Sequence, residues 1–288
     1  MKYPDLFKQR TAVLVTKHKK EDVILPVLAQ TGMNLRLLNT IDTDAFGTFT
    51  RDIERKGTQL EAARYKALKA IEETGESIAI AIASEGSFGA HPTIFFAPAN
   101  IELVLLIDPV NNIEISGWEI STDTNHNHFE AASVKEAIKF AKQCGFPSHG
   151  MIVRPNSEGD NSPMLFKGIT TEKALEEAVE KCIAESQDGK ALTETDMRAM
   201  YNPKRMTVIE KATVNLLNKI NSLCPVCGCP GFEITEWIKG MPCENCFFPT
   251  KGIAKHIYQC KKKKKKKEIE YPNNQKYSDP TFCDFCNP

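Results

Sequence analysis

Eight of the ten cysteines in this 288-residue chain fall between Cys224 and Cys286. Six of those eight form C-x-x-C pairs. Cys224-Pro-Val-Cys227 and Cys243-Glu-Asn-Cys246 stand fifteen residues apart, which is the spacing of a structural zinc site. Two thiolates separated by two residues grip one ion from a single tight turn. Two such knuckles then complete a tetrahedron of sulfurs about 2.3 Å from the metal. The spacing therefore predicts one zinc ion on Cys224, Cys227, Cys243 and Cys246. Cys229 continues the first knuckle as C-x-C and reads as a spectator. A third pair, Cys283-Asp-Phe-Cys286, has only Cys260 upstream, so His256, four residues before Cys260, is the expected fourth ligand of a second zinc. A closed four-ligand site has no open coordination position and serves stability or binding rather than catalysis.

The opening MKYPDLFKQR lacks the apolar stretch of a secretory signal, so a reducing cytoplasm, and metal rather than disulfides, is the expectation. An apolar fraction of 41% and a charged fraction of 26% are those of an ordinary globular protein. Formal net charge is zero, which provides no global attraction to nucleic acid or membrane. No apolar run reaches the roughly 20 residues of a membrane span. The seven lysines at 261–267 read as a solvated linker or loop, with a nucleic-acid contact as the competing account.

Upstream of the cysteines, helical and strand periodicities alternate. Strands are predicted at 11–16, 34–38, 78–85, 101–108, 112–120 and over GMIVRP. Helices are predicted at 58–73, 133–144, 171–186 and 205–222, and a further one, interrupted by Pro26, runs through Leu28. Ser133 with Glu136 supplies a capping box. The pair 101–108 and 112–120 turns through Asp108-Pro-Val-Asn-Asn as an antiparallel hairpin. The expectation is a mixed-sheet α/β domain over residues 1–222, followed by a small zinc-ribbon region over 223–288. Within SIAIAIASEGSFGAHP (77–92), an apolar run fit for burial gives way to Glu85, Gly86, Ser87 and Gly89. Either the chain merely turns there, or a ligand approaches the backbone at a strand end.

Several segments together, ASEGSFGAHP, FPSHG, ETDMRAMYNPKRM, LCPVCGCPGF, GMPCENCFFPT and CDFCNP among them, resemble a family of uncharacterised bacterial proteins defined as a domain of unknown function. The likeness covers nearly the whole chain and departs at Lys263, where a C-x-x-C partner for Cys260 is expected. The order of elements in 11–125 is also similar to the inosine/xanthosine triphosphatase-like fold. Thr16-Lys-His-Lys-Lys-Glu stands at its first loop, with His18 for an asparagine and Lys20 one place early. Glu61-Ala-Ala-Arg-Tyr-Lys66-Ala stands at its helix motif, with Ala62 for asparagine, and Ala83-Ser-Glu85-Gly86 at its strand-end acidic motif. That resemblance implies a Mg²⁺-dependent nucleoside triphosphate pyrophosphatase.

The residues themselves fit such chemistry. Lys19 and Lys20 near a helix N-terminus offer donors to phosphates, beside Thr16. Arg64 and Lys66 share a helix, and Glu85 is a candidate Mg²⁺ ligand or base. Gly86 and Ser87 would let a nucleotide lie on the backbone, and Arg198 and Arg205 would either clamp an anion or cap helices. Two functions stay open: a phosphohydrolase with Glu85 as its catalytic residue, or a non-catalytic nucleotide-binding module whose zinc ribbons contact nucleic acid or protein.

Overall fold

The computed structural model describes residues 5–38, 57–75, 80–156 and 164–288. The start of the strand expected at 78 lies outside the described residues. Two sheets and a cysteine-rich tail follow one another, and the first sheet is mixed, as the sequence predicted.

The first sheet has the order β2-β1-β3-β4-β5. Its strands are β1 (Thr11–Val15), β2 (Asn34–Leu38), β3 (Ile80–Ala90), β4 (Pro98–Asp108) and β5 (Ile113–Ser121). β1 is parallel to both β2 and β3, and β3, β4 and β5 form an antiparallel meander. Helix α1 (Glu21–Leu28) connects β1 to β2, and α2 (Gln59–Thr74) precedes β3. Side chains alternate across the strands, so one face carries Leu14, Ile82, Val104 and Leu106 and the other Val15, Ala83, Leu103 and Leu105. The first face packs on Ile24 and Leu28 of α1 and on α5 (Pro203–Asn221) through Ile209 and Leu216. The second packs on Ala63, Ala67 and Ala70 of α2. Thr58 caps α2 reciprocally with Glu61, which fixes where that helix begins.

β3 does not stop at Glu85. It runs on to Ala90, because β4 pairs with it continuously from Ala81↔Ile107 to Ala90↔Pro98. The polar turn in composition therefore marks the place where β1 ends, and β3 itself continues.

The second sheet, order β6-β9-β7-β8, is wholly antiparallel. It contains β6 (His128–Ala131), β7 (Met151–Pro155), β8 (Phe166–Ile169) and β9 (Ala191–Thr195). Helices α3 (Val134–Gln143) and α4 (Glu172–Glu185) cover it through Phe140, Leu175 and Val179.

α5 returns the chain to the first sheet at very close range. A Cβ placed on Gly117 of β5 would sit 2.2 Å from the carbonyl oxygen of Ala212 and 2.4 Å from the nitrogen of Leu216. Neither backbone atom yields without moving the helix. Gly117→Ala is accordingly expected to destabilise the protein by about 3 kcal/mol. An unchanged urea midpoint would mean that α5 is not seated on β5 in this way.

The tail forms a third sheet, β10 (Glu233–Lys239), β11 (Ile253–Gln259) and β12 (Lys266–Glu270), antiparallel throughout. Its beginning is not detached from the rest. Cys224, Cys229, Phe232 and Cys260 share one apolar cluster with Ile115, Leu216 and Ile220. The lysine run is not a linker: it forms a turn after Cys260 and then enters β12, with Lys261 paired to Glu233 and Lys266 to Glu236.

Candidate metal centres and a buried polar cluster

Four short turns in the tail share one backbone pattern. The amide N–H four residues on donates to the first cysteine's carbonyl: Gly228 to Cys224 (2.7 Å), Phe247 to Cys243 (3.0 Å), Lys264 to Cys260 (3.0 Å) and Asn287 to Cys283 (2.9 Å). In the first three, the cysteine's own N–H donates to the carbonyl five residues on, at Cys229, Phe248 and Lys265, each at 2.9 Å. Gly228, Phe247 and Lys264 all take positive φ, which closes the turn. In each knuckle the leading cysteine is buried, while the next position (Cys227, Cys246, Lys263 or Cys286) is more exposed.

These knuckles pair alternately. The sulfurs of Cys243, Cys246, Cys283 and Cys286 lie within 4.8 Å of one another, and so do those of Cys224, Cys227 and Cys260. Individual separations are 3.6 Å for Cys227–Cys260, 3.8 Å for Cys243–Cys286 and 3.6 Å for Cys246–Cys283. A tetrahedron with metal–sulfur bonds of about 2.3 Å has edges of about 3.8 Å. The donor sets therefore fit zinc, and none of these cysteines is in a disulfide. Cys283 is drawn down to about 7 by the N–H groups of Cys286 and Phe285, despite some desolvation. Burial raises the Cys260 thiol, but the N–H groups of Lys263 and Lys262 together with Cys227 and Cys224 bring it below its ordinary value.

The expected ligand sets are thus corrected. Cys224 and Cys227 do not join Cys243 and Cys246, and His256 is not among the grouped ligand atoms. His256 lies in β11 opposite Trp237 and Ile269. The cause is β10. Its seven residues occupy much of the fifteen-residue spacer and carry the chain about 23 Å away from the first knuckle. β11 brings it back, so Cys260 meets the first knuckle. β12 leads out again, so Cys283 and Cys286 meet the second.

A separate polar cluster occupies the carboxyl end of β1. On the face covered by α1 and α5, the Lys20 ammonium donates to Ser84 Oγ at 3.2 Å, and Thr16 Oγ1 lies 3.5 Å from the same hydroxyl. Beside them Arg205 Nε donates to Glu102 Oε1 at 2.8 Å, with both side chains essentially unexposed. The Arg205 guanidinium also donates to the Met197 carbonyl and stands 5.3 Å from the centre of the Phe88 ring. Glu102 Oε2 and Asn100 Oδ1, on the same face, are buried with no hydrogen-bond partner among the described residues. A Cβ on Gly86 would come within 2.6 Å of both Glu102 oxygens and 2.5 Å of Arg205. Gly86 therefore makes room for this ion pair, where a nucleotide was expected. Burial pulls the Lys20 pKa down to about 8, with Arg205 adding to the effect and Glu102 and Glu85 opposing it.

Glu85 points to the opposite face, towards α2, where it is 4% exposed and ion-paired with Lys66. The expected pocket joining Glu85 with Lys20 and Arg205 is thus divided by the sheet, because alternation sends neighbours 84 and 85 to opposite sides. The other expected phosphate ligands are also engaged. Arg64 makes a two-pronged contact with Glu114 at 2.7 and 2.8 Å. Ser87 donates to Gln59, whose amide in turn donates to the carbonyls of Glu85 and Ile101. Arg198 pairs with Asp196 and lies over the Tyr201 ring. Lys19 is exposed at the end of the β1–α1 loop.

Sequence reasoning missed Ser84 and Glu102. Each is a polar residue inside an otherwise apolar strand run, and that interruption was the available signal. It also left Ser148 and His149 unassigned. Their side chains lie 3.1 Å apart, but the Ser148 hydroxyl donates to the Gly145 carbonyl within the same turn.

A sequence model of the family described as "Domain of unknown function (DUF6671)" matches residues 66–288. No curated protein and no solved structure matches the chain. No helix among the described residues is long and apolar enough to cross a membrane.

Proposed function

The chain belongs to the family described as a domain of unknown function, DUF6671, and from its own side chains we propose that it is a zinc-stabilised module binding a nucleoside phosphate at the carboxyl end of β1, beside Ser84 of β3. One observation carries this reading: a lysine, Lys20, is buried against Ser84 and Thr16 at the point where the sheet's connections diverge. From β1 the chain passes over one face to β2, and the chain after β2 enters β3, on β1's other side, from the opposite face. In open α/β sheets, ligands occupy the crevice at that switch point. The loop leading to Lys20 holds two successive non-glycine residues, His18 and Lys19, at φ of 66° and 60°. Backbone of that kind costs energy and clusters where ligands are held. On the face covered by α1 and α5 the cluster contains Lys20 and Arg205 against Glu102, an excess of one positive charge, which suits an anion.

This reading is preferred to the Mg²⁺-dependent phosphohydrolase because Glu85, the carboxylate that role needs, is occupied by Lys66. Zinc in the tail supports the fold, and the Cys224–Cys227–Cys260 cluster adjoins the core of the same sheet.

Calorimetric titration with ATP and with adenosine tests the proposal. ATP is expected to bind and adenosine not to. Lys20→Met should weaken ATP binding at least about tenfold, the scale of one lost charge-assisted hydrogen bond. Lys20 loses its proton as pH rises through about 8, so affinity for ATP should also decline above that pH in the parent and stay flat in the variant. Equal binding of adenosine and ATP, or an unaffected Lys20→Met, would overturn the proposal. Mg²⁺-dependent pyrophosphate release that vanishes in Glu85→Gln would restore the hydrolase reading.

A further inference from the structure

The third knuckle of the tail is complete in backbone and incomplete in ligands. Cys260 to Lys265 repeats the two turn hydrogen bonds and the positive-φ residue of the Cys224 and Cys243 knuckles. The N–H of Lys263 donates to Cys260 Sγ at 3.3 Å, as befits a residue folded around a metal-bound sulfur. Yet position 263, where each of the other knuckles carries its second cysteine, is a lysine. Three sulfurs converge here, whereas four do so at Cys243, Cys246, Cys283 and Cys286. Cys229 does not complete the set among the described residues. It is fully buried, and its Sγ donates to the Pro230 carbonyl at 3.5 Å.

We propose that Cys224, Cys227 and Cys260 hold a zinc ion through three thiolates and leave its fourth corner to an exchangeable external ligand, water or a small nitrogen or sulfur donor. Which corner is open follows from burial. The leading cysteines, Cys224 and Cys260, are buried at 3% and 0% exposure, while Cys227 is partly exposed and position 263 is exposed. The missing ligand is a solvent-side one, so the vacant corner faces water rather than the core. Three protein ligands with one open position is the arrangement in which zinc binds and polarises small molecules, unlike the closed four-thiolate site in the same tail.

Cobalt(II) in place of zinc reports the coordination directly, and imidazole serves as the external donor. The full-length protein should take up two cobalt ions, and adding imidazole should shift the visible d–d bands of one of them. In Lys263→Cys the fourth thiolate closes the site, so the imidazole response should disappear. A chelator should then strip that ion at least about tenfold less readily. Lys263→Ala, which supplies no ligand, should respond to imidazole like the parent and so separates ligation from any effect on folding. The inference is overturned if the parent binds one cobalt only, or if its bands ignore imidazole. It is equally overturned if the response appears only after Cys229→Ser, which would make Cys229 the fourth ligand.

Discussion

Arg205→Met should destabilise the protein by about 3–5 kcal/mol, although the new side chain has similar length and full apolar character. Arg205 lies at 1% exposure and Glu102 at 0%, joined at 2.8 Å. Removing the guanidinium leaves a carboxylate in the sheet–helix layer with no compensating cation on Oε1 and with Oε2 already lacking a partner. The magnitude thus measures an abandoned charge rather than the strength of the pair. The double variant Arg205→Met with Glu102→Leu removes both charges and should recover most of the loss. Urea midpoints of the parent, the two single variants and the double variant read this directly. A single variant no less stable than the parent would show that the pair is not buried as described. A double variant as unstable as Arg205→Met would show that packing, rather than charge, governs the site. Gly86→Ala probes the same place from the other side, since its Cβ would press on Arg205 and on both Glu102 oxygens.

The pair also shows where sequence reading reaches its limit. Most elements were legible because their signals are local: the Thr58–Glu61 cap fixes α2, and Ser133, whose side chain accepts from the Glu136 N–H, fixes α3. The strands of the first sheet were recognisable from apolar runs, and 101–108 with 112–120 from the turn joining them. Partner choice is not local. Glu85 looked like a ligand because it ends an apolar run beside glycine, but its surroundings are set by Lys66, nineteen residues earlier on α2. Glu102 gave no such cue, and Arg205 lies 103 residues from it. Alternating strands and helices look the same in sequence whether one sheet or two result. Only pairing, β9 with both β6 and β7, separates them.

Zinc removal should have the largest effect of all. A structural zinc ion contributes on the order of 10–16 kcal/mol to the folding of a small domain, far more than the three short strands of the tail supply. Chelation is therefore expected to unfold residues from about 233 onward, read as new protease sensitivity and a change in Trp237 emission, while α3 and α4 with their sheet stay folded. Single cysteine variants then reveal the wiring. Cys283→Ser and Cys243→Ser should disable the same ion, although they lie in different knuckles, because their sulfurs converge with those of Cys246 and Cys286. Each should lose one equivalent of zinc and keep the other. Cys224→Ser and Cys260→Ser should form a second matching pair, and this pair should also loosen the first sheet, since both residues pack in the cluster with Ile115 and Leu216. Sequential pairing of the knuckles predicts another grouping, with Cys224→Ser matching Cys243→Ser and Cys260→Ser matching Cys283→Ser. Metal content and unfolding curves for these four variants decide between the two. The interleaved arrangement follows from the antiparallel path of β10, β11 and β12, so a sequential result would overturn that strand order along with the ligand sets.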